Sequence, residues 1–205
     1  MPSLAEQERR DLLDLVEKLT PEQWAAPSLC DGWTVHDVVA HMVSFEGMPP
    51  ARMGRVAAAG RFVPARINAI LVRQGRRLSD EQLVARVRSH LTPSGLTAAL
   101  GGRIALTDGL IHRQDIRRPL GLGTDVPADR LTAVLSFAMF AAPIRGAWRA
   151  RGVRLRATDV DWSFGRGPEI TGPGEALLMS IAGRTVALDE LDGPGVPRLR
   201  ANLGA

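Results

Sequence analysis

Apolar residues recur at helical spacing from the start of the chain to about residue 150, then give way to strict alternation. A first helix opens at Ser3, with Glu6 at the reciprocal capping position and Leu4, Leu12, Leu13, Leu15, Val16 and Leu19 as its apolar stripe. Thr20 and Pro21 end it and start a short second piece through Trp24. Residues 28–44 (SLCDGWTVHDVVAHMVS) read as a loop that breaks into a helix capped by Thr34, with Asp37 at N3, running to about Met48 before Pro49 and Pro50. Residues 51–62, rich in Ala, Gly and Arg, carry no clear period. Helices follow from Pro64 to about Leu78 and, capped by Ser79 with Gln82 at N3, to about Leu91. After a turn at 92–95 the pattern predicts a long helix ending before Pro119, and another from Val126 to about Ala150.

Beyond Gly152 the period becomes two. Val153, Leu155 and Ala157 alternate with Arg154, Arg156 and Thr158, and residues 162–164 and 169–171 are further short strands. A helix over 173–183 stops at Gly183, and 194–202 forms a last helical turn. The expected fold class is mainly α: a helical bundle over 1–150 and a small α+β region over 151–205.

Composition narrows the function classes. At 205 residues the chain is long enough to bury a sizeable core. Its single cysteine, Cys30, excludes an internal disulfide and suits a reducing cytoplasm, and the N-terminus shows no apolar leader. The longest apolar run, residues 131–144, has the length of a buried helix and not of a membrane span. The net charge is +4, but the arginines are scattered in pairs, no basic run reaches five, and there is no Tyr to add to nine other aromatics. Neither a nucleic-acid nor a membrane partner is expected on those grounds.

The candidate chemistry lies on two helices. With Ile104 at zero and 100° per residue, Asp108 falls at roughly 40°, His112 at roughly 80° and Asp115 at roughly 20°, flanked by Ile111, while Arg113 and Arg117 point away. Two carboxylates and an imidazole thus share a face expected to be buried, where charges must be paired or bound to a metal. Asp108 and His112, four apart, have the spacing of a helix-borne metal site, with Asp115 placed to support the imidazole. An Asp–Arg or Asp–His network without a metal fits the same pattern. On the earlier helix His36 and His41 fall on opposite edges of the apolar arc, and periodicity does not choose between them. Cys30 reads as a small buried hydrophobe, with a nucleophile as the other reading.

The segment LTPEQWAAPSLCDGWTVHDVVAHMV resembles the N-terminal motif of the mycothiol-dependent maleylpyruvate isomerase family, related to the DinB-like metal-binding four-helix bundles, and TDGLIHRQDIRRPLG resembles that family's second motif. The tail ATDVDWSFGRGPEITGPGEALLMSIAGR is similar to the small C-terminal region of many members. The resemblance implies a DinB-like four-helix bundle whose metal ligands are His41, Asp108 and His112, the metal being zinc or a neighbour such as nickel. Members with isomerase activity tend to have Glu where this chain has the shorter Asp108. The implied activity is a cytoplasmic metalloenzyme, monomeric or dimeric, that uses mycothiol as nucleophile on a small electrophile, by isomerisation or thiol transfer. His36, Asp37 and Asp115 are candidates for supporting a ligand or acting as base. The alternative is a non-catalytic metal- or ligand-binding helical bundle.

Overall fold

The computed structural model describes residues 2–124 and 126–205, which form two compact units, one ending at Gly123 and the other beginning at Thr124. The first holds α1 (Leu4–Val16), α2 (Pro21–Ala25), α3 (Val35–Met42), α4 (Pro50–Ala59), α5 (Pro64–Gly75), α6 (Asp80–Ser89) and α7 (Arg103–Arg117). Capping boxes at Ser3/Glu6, Thr20/Gln23, Thr34/Asp37 and Ser79/Gln82 open four of these helices where the sequence predicts. The unit is a helical bundle in which α7 lies against α1 and α3, α5 also packs on α3, and α6 closes against α1. Leu12, Val16, Val35, Val38, Val39, Leu83, Val87 and Ile116 fill its core.

Three helix ends depart from the periodic reading, each for a tertiary reason. α3 stops at Met42, not near Met48, because the chain turns so that the Glu46 carboxylate accepts from Arg9 Nη2 (2.6 Å), Ser94 N (3.0 Å) and Thr97 Oγ1 (2.6 Å). α7 starts only at Arg103, since Leu100, Gly101 and Gly102 all take left-handed backbone. The run predicted over 126–150 splits into α8 (Ala128–Ala138) and α9 (Gly146–Arg149). Arg145 is left-handed there, and a Cβ on Gly146 would sit 2.6 Å from the Ala138 carbonyl oxygen. The segment without a clear period is a helix, α4, of which only Val56 is buried.

The second unit holds α8, α9, β1 (Arg154–Ala157), β2 (Ser163–Gly165), β3 (Glu169–Gly172), α10 (Gly174–Ile181), a 3₁₀ helix (Thr185–Glu190) and α11 (Val196–Leu203). Its sheet has the order β2-β1-β3, antiparallel between β1 and β2 and parallel between β1 and β3. The domain boundary expected near residue 150 therefore moves to Gly123/Thr124: α8 packs on α10 and completes the core of the second unit with Leu131, Val134 and Leu135. The alternating and helical stretches after residue 152 otherwise fall where the sequence puts them. Among the described residues, no helix is long and apolar enough to cross a membrane.

Candidate metal centre

The loop before α3 is closed by an isolated bridge between Pro27 and Thr34 and by Ser28, whose amide donates to the Trp33 carbonyl at 2.9 Å. Gly32, at φ 70°, makes the reversal that a side chain would strain. This closure sets Cys30 and Trp33 at the mouth of α3, while α7 brings Asp108, His112 and Asp115 to the same place.

His41 Nε2 lies 3.6 Å from Asp108 Oδ1, and His112 Nε2 lies 3.5 Å from the same oxygen. The three donor atoms lie within 4.8 Å of one another. The two imidazole planes meet edge to face at 82°, 4.8 Å between centroids, and the Trp33 and Phe45 rings pack around His41. On the other ring nitrogen, His112 Nδ1 stands 2.9 Å from Asp115 Oδ2, and the Cys30 thiol donates to that oxygen at 3.1 Å. Asp115 is fully buried, and its carbonyl accepts the Leu29 amide at 3.0 Å.

The face that carries these groups is not the most buried side of α7, as the angular reading expects. Asp108's side chain is 40% exposed, whereas Arg113, read as pointing away, is buried against α1 with its Nε 2.5 Å from Glu8 Oε1. A helix covered nearly all round leaves its functional sector as the open one.

Partial loss of hydration works to raise the Asp108 pKa, but His112, His41 and Arg9 outweigh it and hold the carboxyl well below the usual range. Burial likewise works to lower His112, yet Asp108, Asp115 and Cys30 together push it up to about 10. The surrounding groups thus favour the protonated imidazole, and metal binding would release that proton.

The donor set fits a divalent ion. Two imidazoles and a carboxylate are the ligand types of catalytic zinc and non-haem metal sites. Bonds of about 2.1 Å at tetrahedral angles require donors roughly 3.4 Å apart, close to the 3.5 and 3.6 Å found, which are long for direct hydrogen bonds. The shorter Asp108 reaches both imidazoles despite the missing methylene. His112 has its tautomer set by Asp115; His41 Nδ1 is buried with no hydrogen-bond partner among the described residues.

Of the residues singled out from sequence, the structure brings together His41, Asp108, His112 and Asp115. It does not bring His36 or Asp37 to them. His36 Nε2 is 3.0 Å from the Leu78 carbonyl, and its ring meets Trp24. Asp37 is held by Arg76 through two bonds of 2.8 and 2.7 Å. Sequence reasoning missed Cys30 as a partner of Asp115 and Trp33 as a wall against His41. The Cys30 contact spans 85 residues of chain, which no local spacing signals.

The Asp37–Arg76 pair gives a testable acid dependence. Burial opposes ionisation of Asp37, but Arg76 and the Thr34 amide hold its carboxyl below the ordinary 3.8. A lowered folded pKa stabilises the fold above the unfolded value and is lost as pH falls through the folded one. Asp37→Asn is expected to cost about 1.5 kcal/mol at pH 7 and to lose less stability than the wild type on acidification to about pH 3. Urea midpoints at the two pH values check this; parallel losses would show the pair to be neutral.

The comparisons bear on the same elements. Residues 5–94 match the family model described as the mycothiol maleylpyruvate isomerase N-terminal domain, a span that includes His41 and stops before α7. Two crystal structures, of the mycothiol-dependent maleylpyruvate isomerase and of a histidine-to-alanine mutant of it, resemble this chain with a TM-score of 0.59 at 15% identity, over 93% of this chain and 90% of those. No curated protein matches the chain in sequence. The resemblance read from the first motif agrees with this match, and the fold is the expected mainly α bundle with a small α+β addition.

Proposed function

We propose, from its resemblance to the mycothiol-dependent maleylpyruvate isomerases, that this chain is a metal-dependent enzyme that uses a low-molecular-weight thiol, mycothiol by that resemblance, as nucleophile on a small electrophile. The observation that carries the reading is the convergence of His41 Nε2, Asp108 Oδ1 and His112 Nε2 within 4.8 Å on an open sector of α7. A divalent ion held by these three residues would supply a Lewis acid that keeps a thiol ionised near neutral pH.

The protein's own part is to hold and orient. Asp115, buried and bonded to Leu29, fixes the His112 ring by accepting from Nδ1. The Trp33 and Phe45 rings restrict His41. The co-substrate's sulfur is the nucleophile. Added to a cis double bond and eliminated after rotation it gives isomerisation; displacing a leaving group it gives transfer. Cys30 Sγ lies 3.6 Å from His112 Nδ1, the ring nitrogen opposite Nε2, and donates to Asp115, so its part in this reading is to support His112.

Cys30→Ser is therefore expected to retain thiol-dependent turnover within a few-fold, while His41→Ala abolishes it. Turnover assayed with thiol in excess, on protein of known metal content, decides between the external thiol and the protein's own. Loss of turnover in folded, metal-replete Cys30→Ser would overturn the external-thiol mechanism.

A further inference from the structure

Between Glu46 and Asp80 the sequence holds seven arginines and no acidic residue. These are Arg52, Arg55, Arg61, Arg66, Arg73, Arg76 and Arg77, all exposed, on the hairpin formed by α4 and α5. Without them the chain's 26 basic residues fall to 19 against 22 acidic ones, so the rest of the molecule is net negative. The positive character of the protein is local.

The tip of this hairpin is apolar and held in an uncommon shape. Arg61 and Phe62 are consecutive non-glycine residues with φ of 54° and 57°. Gly60 lets the chain reverse, since a Cβ there would lie 2.6 Å from Ile67 Cγ1. The reversal leaves Phe62 77% and Val63 41% exposed. From Gly54 to Arg66 every polar side chain is an arginine; the others are Gly, Ala, Val, Phe and Pro. Among the described residues the side chains of Arg55, Arg61 and Arg66 make no hydrogen bond or ion pair.

We infer that the α4–α5 tip docks on an anionic lipid bilayer, with Phe62 and Val63 entering the headgroup layer and Arg55, Arg61 and Arg66 meeting lipid phosphates. Arginine and apolar side chains without neutral polar ones are the composition of an interfacial element, because long cationic stems let the charge stay at the surface while the apolar part sinks. Charge complementarity selects an anionic surface. Nucleic acid fits less well: the tip offers no Asn, Gln, Ser or Thr to read a base edge. The contact is peripheral, in keeping with the absence of a spanning helix among the described residues. The signal lies in the local mix of arginine and apolar side chains, not in an apolar span or a contiguous basic run.

The test is flotation of the full chain with vesicles of phosphatidylcholine alone or mixed with phosphatidylglycerol, at low and high salt. The chain is expected to float with the anionic vesicles, weakly with the neutral ones, and less at high salt. Each arginine near the surface is worth about fivefold, so Arg61→Gln/Arg66→Gln should weaken binding on the order of 25-fold. Phe62→Ser should weaken it at both salt concentrations, while Arg10→Gln/Arg103→Gln, outside the hairpin, should leave binding within a few-fold of wild type. No flotation with anionic vesicles, or equal losses for the two arginine pairs, would overturn the proposal. So would tighter retention of an oligonucleotide with no effect of Phe62→Ser. Circular dichroism of each variant separates loss of binding from loss of fold.

Discussion

Replacing His112 with alanine is expected to empty the metal centre, taking bound metal from about one ion per chain to near none. The substitution removes one of the three donor groups and leaves His41 and the half-exposed Asp108 carboxylate, a pair that holds a divalent ion poorly. Its effect should exceed the 10- to 100-fold loss typical of an outer partner such as Asp115, because it takes the ligand and its orienting bond together. His36→Ala is the matched control: its ring is spent on Leu78 and Trp24, so metal content should stay near wild type. Elemental analysis of untagged protein reads both. Untagged wild-type protein that carries no metal and takes none up on reconstitution would falsify the metalloenzyme reading and leave the alternative of a metal-free ligand-binding bundle.

The largest effect on stability is expected at Glu8 and Arg113. Both side chains are almost wholly buried, with Arg113 Nε donating to Glu8 Oε1 at 2.5 Å and Nη2 reaching Oε2 at 3.3 Å, across the α1–α7 contact. Removing Glu8 leaves the desolvated Arg113 with only the longer 3.9 Å contact to Asp11, and Glu8→Ala should cost about 3 kcal/mol. Replacing both, as Glu8→Leu/Arg113→Met, should recover most of that loss, since desolvation of a buried pair offsets much of its attraction. Urea unfolding of the two single variants and the double variant tests the coupling. Additive losses would mean that the two residues act independently despite their contact.

How far the sequence carried the fold follows from where its signals are local. Ser3, Thr20, Thr34 and Ser79, each with a partner three residues on, open helices at the predicted positions because capping involves only the turn itself. The early stop of α3 depends on Arg9 and Thr97, and the split before α9 on the approach of Gly146 to Ala138. Neither is visible to a periodicity argument. α4 was opaque because a helix that buries only Val56 has no apolar stripe to read. At the site, the Asp108–His112 spacing was local and legible. The choice of His41 over His36 came from the resemblance, since both sit at similar angles. The open face of α7 was misjudged because Arg113, charged yet buried on Glu8, makes the opposite side look like the solvent side.

The bonds from Leu29 and Cys30 to Asp115 join parts of the chain some 85 positions apart. During synthesis the loop and α3 therefore emerge with His41 long before their counterpart exists, with only Trp33 and Phe45 of that segment against the imidazole. The site is assembled only when α7 arrives and docks, at a point when α1, waiting with Glu8, also finds its partner. Closure of the helical bundle and assembly of the candidate centre are thus one event in the life of the nascent chain, and a chain interrupted before α7 would have neither.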